Sequence, residues 1–108
     1  MPNAIVIFVT AGSKDEARKI GKTLVEEELV ACCNIVQSVE SLFKWQGKVT
    51  LENEILLIIK TREDLFLDVE KRILQLHSYE VPEIISLPIT HGTKRYLDWL
   101  REETKVNQ

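Results

Sequence analysis

A chain of 108 residues with 44% hydrophobic content has room for one domain and its core, not two. Its 14 basic against 17 acidic side chains leave a net charge of −3, with no basic excess to recruit nucleic acid. The longest apolar run, Ala4 to Val9, is far too short to span a bilayer, so no membrane is expected as a partner. The two cysteines, Cys32 and Cys33, are adjacent, and sequence neighbours rarely bridge each other. With no disulfide framework and no basic stretch in Met1-Pro2-Asn3, the expected compartment is reducing, the cytoplasm.

Ala4 to Val9 is a continuous β-branched and aromatic run, which predicts a central strand buried on both faces. Thr10-Ala11-Gly12 breaks it. Ser13 stands three residues before Glu16, a capping-box spacing, and Ala17, Ile20, Leu24 and Val25 follow at helical period. A helix is therefore predicted over 14–28. From Cys32 to Phe43 the apolar residues Cys33, Ile35, Val39 and Phe43 hold odd positions, which predicts a strand with one face on the core. Trp45-Gln46-Gly47-Lys48 is the turn, and Val49, Leu51 and Ile55 to Ile59 carry a second long strand back to Thr61. Thr61 and Asp64 form another capping pair ahead of Leu65, Val69, Ile73 and Leu76, so a second helix is expected to end near His77. Val81-Pro82 breaks the chain again. Ile84 to Ile89 is the last strand, and Pro88 assigns it to a sheet edge because proline cannot donate to a ladder. Gly92 or Thr93 opens a final helix with Tyr96, Leu97 and Leu100 on one side.

The order β-α-β-β-α-β, then α, is that of an α+β, ferredoxin-like fold with an extended hairpin between the second and third strands and a C-terminal helix. Each hairpin strand runs about 13 residues, on the order of 40 Å. A compact domain of this size is roughly 30–35 Å across. The hairpin tip should overhang its own helices while carrying Leu42, Phe43, Trp45, Val49 and Leu51, and a partner chain is the economical cover for such residues.

No nucleotide-binding glycine motif, CxxC pair, HExxH or GxSxG elbow is present, so an enzyme is not expected. The candidate metal donors are Cys32, Cys33 and His77. Alternation along a strand sends the two cysteines to opposite faces, so at most one serves any site. Cys33 shares the core face. Cys32 points to the face that no helix of the chain is expected to cover, and is the preferred donor beside His77. Tyr79-Glu80-Val81-Pro82 is a polar and aromatic loop segment of the kind that carries function.

Ala31-Cys32-Cys33-Asn34-Ile35, Trp45-Gln46-Gly47-Lys48, Lys60-Thr61, His77-Ser78-Tyr79-Glu80-Val81-Pro82-Glu83 and Tyr96-Leu97-Asp98-Trp99-Leu100 follow in register. Together they resemble the CutA divalent-cation-tolerance family over nearly the whole chain. The resemblance implies a homotrimer with hairpins exchanged around the ring, an architecture similar to the PII signalling proteins, and a role in tolerance of copper and other divalent cations. Some members carry a cysteine near the end of the first strand and a His-His pair after the second helix as proposed copper ligands. Here those positions read Val9 and Leu76-His77, and the usual His-Pro-Tyr-Glu reads His77-Ser78-Tyr79-Glu80. The expectation is weak binding of Cu²⁺ or Zn²⁺ by Cys32 and His77, with no metal required for folding. Trp45 is expected to anchor the hairpin tip on a neighbouring subunit. The alternative is a PII-like regulator that takes a small anionic ligand at intersubunit clefts, lined by Lys60, Tyr79 and Glu80.

Overall fold

A computed structural model describes residues 2–106; Met1, part of the leader reading, lies outside them. The elements are β1 (Ala4–Ala11), α1 (Lys14–Glu26), β2 (Cys32–Trp45), β3 (Lys48–Arg62), a 3₁₀ turn (Glu63–Leu65), α2 (Phe66–Leu76), β4 (Ile84–Pro88) and α3 (Lys94–Glu102). One antiparallel sheet has the order β2-β3-β1-β4. The two apolar strands β1 and β3 are central, and Pro88 sits on the edge strand opposite Ile5, where its missing N–H costs no ladder bond.

The helix starts follow the sequence unequally. At α1 the Ser13 hydroxyl accepts from the Glu16 N–H at 3.2 Å. The second half of the capping box does not form, because the Glu16 carboxylate accepts from the Ser78 N–H instead, at 3.0 Å. At α2 the expected Thr61–Asp64 cap is absent. Thr61 lies within β3, fully buried, and its hydroxyl donates to the Leu29 carbonyl at 2.7 Å. Asp64 takes the Arg62 guanidinium at 2.9 and 3.1 Å. The chain therefore enters α2 through the 3₁₀ turn, with no side-chain cap. Thr61→Val keeps the shape and removes the donor, and is expected to cost about 1–3 kcal/mol, whereas Thr61→Ser should recover most of it. Urea denaturation of both variants checks this; equal stability of wild type and Thr61→Val would contradict it.

The core lies on one face of the sheet, where Ile5, Ile7, Val9, Leu57 and Ile59 meet Ala17, Ile20 and Leu24 of α1 and Val69 and Ile73 of α2. Among the described residues the other face is covered only at one end. There Leu100 and Leu97 of α3 pack on Ala4 and Ala31. This corrects the expectation that no helix covers the face of Cys32. Beyond α3 the face stays open: Val6, Phe8, Leu56 and Ile58 are half-buried, and Ile85 and Leu87 of β4 are each 54% exposed.

The hairpin gives the molecule its longest dimension, 44 Å against 26 and 22 Å. Gln46 and Gly47 both take positive φ, 51° and 81°, the two-residue turn geometry that matches strand twist. A bulge interrupts the register between Val36↔Leu56 and Val39↔Glu54, with Ser38 at φ 65°. The expected single face of Cys33, Ile35, Val39 and Phe43 is thereby divided. Cys33 and Ile35 pair with Ile59 and Leu57 on the core side, while Val39 and Phe43 pair with Glu54 and Thr50 on the other. The tip consequently carries exposed apolar groups on both faces, with Leu42, Val49 and Leu51 on one and Phe43 and Trp45 on the other.

Candidate functional site

Two polar clusters form at opposite ends of the central strands. The first is on the open face. Cys32 and Asn34 project from the same side of β2, and Cys32 pairs across the ladder with Lys60. The Lys60 ammonium donates to the Asn34 side-chain carbonyl, and the Cys32 thiol lies 3.8 Å from the same oxygen. Burial first, then the neighbouring Cys32, hold the Tyr96 phenol of α3 above its ordinary value. Cys33 points the other way, with its sulfur 3.0 Å from where a Cβ on Gly21 would stand. Burial pushes the Cys33 thiol up to about 11, so it is a packing group and not a thiolate donor.

The second cluster surrounds the end of β1. The His77 side chain is completely buried as α2 ends. Its Nδ1 accepts from the Tyr79 N–H at 3.1 Å, which leaves Nε2–H to donate to the Thr10 carbonyl at 2.7 Å. The Tyr79 ring tilts against His77 with centroids 4.7 Å apart, and its hydroxyl donates to the buried Glu54 carboxylate at 2.8 Å. Desolvation, then the Glu54 hydrogen bond, raise the Tyr79 phenol to about 12. The second oxygen of Glu16 is buried 3.7 Å from His77 Nδ1 without a hydrogen bond. Gly12 leaves room for the tyrosine, since a Cβ there would come within 3.1 Å of its hydroxyl.

The expected site residues are not gathered into one site within a chain. Cys32 is level with Lys60 and Val6, and the Thr10 carbonyl that holds His77 lies four residues further along β1, about 13 Å. Lys60 is likewise six residues along β3 from the Glu54 that receives Tyr79. Glu80 is exposed in the following loop, and Trp45 is half-exposed at the hairpin tip opposite Lys48. Among the described residues, no group of three or more His, Cys, Asp or Glu is placed to hold a metal ion. The donor chemistry agrees: both His77 nitrogens are engaged, so the residues present do not fit a resident metal centre. Sequence reasoning missed Glu54, Glu16, Asn34 and Tyr96. Glu16 entered only as half of a capping box, and only the placement of Ser78 and Tyr79 gives Glu16 and Glu54 their partners.

A four-stranded ferredoxin-like sheet with two core helices, an overlong hairpin and a second face largely uncovered by the described residues defines a small α+β protein of the divalent-cation-tolerance type. Residues 5–103 match the model of the family described as CutA1 divalent ion tolerance protein, and the chain belongs to that family. It is 48% identical over 99 residues to the divalent-cation tolerance protein CutA of Thermus thermophilus, covering 92% of this chain and 96% of that one. The chloroplastic protein CutA of Arabidopsis thaliana is 43% identical over 94% of this chain, which spans 56% of that longer protein. Among solved structures, CutA1 from Oryza sativa superposes with a TM-score of 0.96 at 40% identity, covering 98% and 97% of the two chains. The structure described as the periplasmic divalent cation tolerance protein CutA from Archaeoglobus fulgidus gives 0.92 at 39% identity, covering 94% and 99%. No helix among the described residues is long and apolar enough to cross a membrane.

Proposed function

We propose that three copies of this chain close into a homotrimer that serves divalent-cation tolerance as a binding and response protein rather than as a catalyst. The observation that carries this reading is the open sheet face: Val6, Phe8, Leu56, Ile58, Ile85 and Leu87 form one apolar surface that no helix among the described residues covers beyond α3. The exposed hairpin tip, with Trp45 as its largest side chain, supports the same reading, because apolar residues of this size on an overhang call for a neighbouring subunit. Light scattering at micromolar concentration is expected to give three times the 12.5 kDa chain mass. A 12.5 kDa particle would overturn the assembly. The two free cysteines support a reducing compartment, the cytoplasm.

Metal binding in this reading is weak. His77 must give up a hydrogen bond before either nitrogen can ligate, and Cys32 brings one soft donor on another part of the sheet. Tight transition-metal sites use three or four ligands. Calorimetric titration of metal-stripped protein with Cu²⁺ or Zn²⁺ is expected to show low affinity, weakened in Cys32→Ser, with the fold intact in chelator. Sub-nanomolar affinity lost in both Cys32→Ser and His77→Ala, or unfolding by chelator, would overturn this. Lys60, whose ammonium stands on the open face beside Asn34, supports the second reading, a small anion held between subunits. A ligand that binds only the folded assembly raises its melting temperature, so thermal shift against metals and nucleotides separates the two readings.

A further inference from the structure

At the start of β2 a thiol and a primary amine are brought together. Cys32 and Lys60 are direct cross-strand partners, so their side chains leave the sheet on one face, with Cβ atoms about 4.5–5.5 Å apart. Their heads converge on a single acceptor. The Lys60 ammonium donates to Asn34 Oδ1, and the Cys32 Sγ lies 3.8 Å from that same oxygen. Asn34 follows Cys32 by two residues and shares its face, so it draws the long lysine arm across the ladder onto β2. Cys32 and Lys60 are both half-buried, which leaves each a path to small solutes. The other thiol of the chain, Cys33, is turned by strand alternation to the core side, against Gly21. Burial keeps the neighbouring Tyr96 phenol in its protonated, poorly nucleophilic form. An oxidised Cys32 therefore meets an amine and not a second thiol.

From this convergence we infer that Cys32 and Lys60 are a redox crosslinking pair, joined by hydrogen peroxide into a reversible sulfenamide that staples β2 to β3. Peroxide oxidises the Cys32 thiol by two electrons to the sulfenic acid and is itself reduced to water. Lys60 gives up a proton to solvent, and its nitrogen lone pair attacks the sulfur. The S–N bond forms, the S–O bond breaks, and the hydroxyl leaves as water, the condensation that sulfenic acids also undergo with backbone nitrogen. One thiol, one amine and one peroxide thus give one sulfenamide and two waters. The product is neutral, so oxidation removes the Lys60 charge from this face. Anion binding would fall with it only if the second reading above holds; the crosslink itself stands apart from that reading and from the assembly.

The test is mass spectrometry of the full-length protein treated under native conditions with millimolar hydrogen peroxide and a chelator. A loss of about 2 Da, two hydrogens, is expected, mapped by digestion to the peptides holding Cys32 and Lys60 and reversed by dithiothreitol. It should be absent in Cys32→Ser and in Lys60→Arg, and retained in Cys33→Ser. Circular dichroism checks each fold, and Lys60→Gln serves as a second amine-free variant should Lys60→Arg fail to fold. Treatment in urea should give sulfinic and sulfonic acids at Cys32 instead, because the strands no longer hold the pair together. The proposal is overturned by a two-hydrogen loss that survives Lys60→Arg and vanishes in Cys33→Ser, the mark of a disulfide between the neighbouring cysteines. Oxygen addition at Cys32 without a crosslink, a disulfide-linked dimer, or an unmodified Cys32 would overturn it as well.

Discussion

A chain carrying Ile85→Glu and Leu87→Glu is expected to stay folded and to sediment at 12.5 kDa rather than at three times that mass. In the single chain both residues lie on the edge strand, each 54% exposed, opposite Phe8 and Val6 of β1. A carboxylate at either place reaches water, so the cost to the isolated fold is within about 0.5 kcal/mol per site, the usual range for surface substitutions. In the proposed trimer the same positions would lie against the apolar surface of a neighbouring copy. Each unpaired charge buried there costs several kcal/mol, and cyclic symmetry repeats the cost at every interface. Dissociation without unfolding is therefore the expected pattern, read by analytical ultracentrifugation beside circular dichroism. Trp45→Ala should act in the same direction more gently, by about 2 kcal/mol for one interface anchor. An unchanged trimer in the double glutamate variant would place the interface on another surface.

The fold was legible where one kind of residue left a single physical solution. The β-branched run Ala4 to Val9 required a central strand, Pro88 required an edge, and Ser13 and Thr93 mark the helix starts whose side chains do cap, onto Glu16 and Tyr96. It was not legible where two partners competed for one group. Thr61 could cap α2 or satisfy the Leu29 carbonyl, and the buried site took the hydroxyl because an unmade hydrogen bond costs more there than at an exposed helix end. The bulge at Gln37–Ser38 was hidden for another reason. An alternating pattern read straight through it gives a regular strand, and one extra residue inverts every later side chain without changing composition. The candidate site suffered most. His77 looked available because a histidine at a helix end is often exposed, and its burial depends on the β1 carbonyl that the fold brings above it.

That buried ring makes His77→Ala the most destabilising substitution expected among the candidate site residues. The side chain fills its space completely, and both nitrogens are bonded to backbone groups of different segments, Thr10 at the end of β1 and Tyr79 beyond α2. Alanine leaves a cavity and strands one carbonyl and one N–H. The combined cost is about 3 kcal/mol, taking a large-to-small core change together with lost buried hydrogen bonds. Tyr79 also loses the ring it packs against, which loosens its hydroxyl from the Glu54 carboxylate. Tyr79→Phe alone removes only that last bond and should cost about 1–2 kcal/mol. Both variants are to be compared with wild type by urea denaturation at one protein concentration, with chelator throughout. The full loss should appear under those conditions, because it comes from protein–protein hydrogen bonds and packing. A stability loss in His77→Ala that appears only when Cu²⁺ or Zn²⁺ is added would show that the imidazole works through a metal and not through the Thr10–Tyr79 bridge.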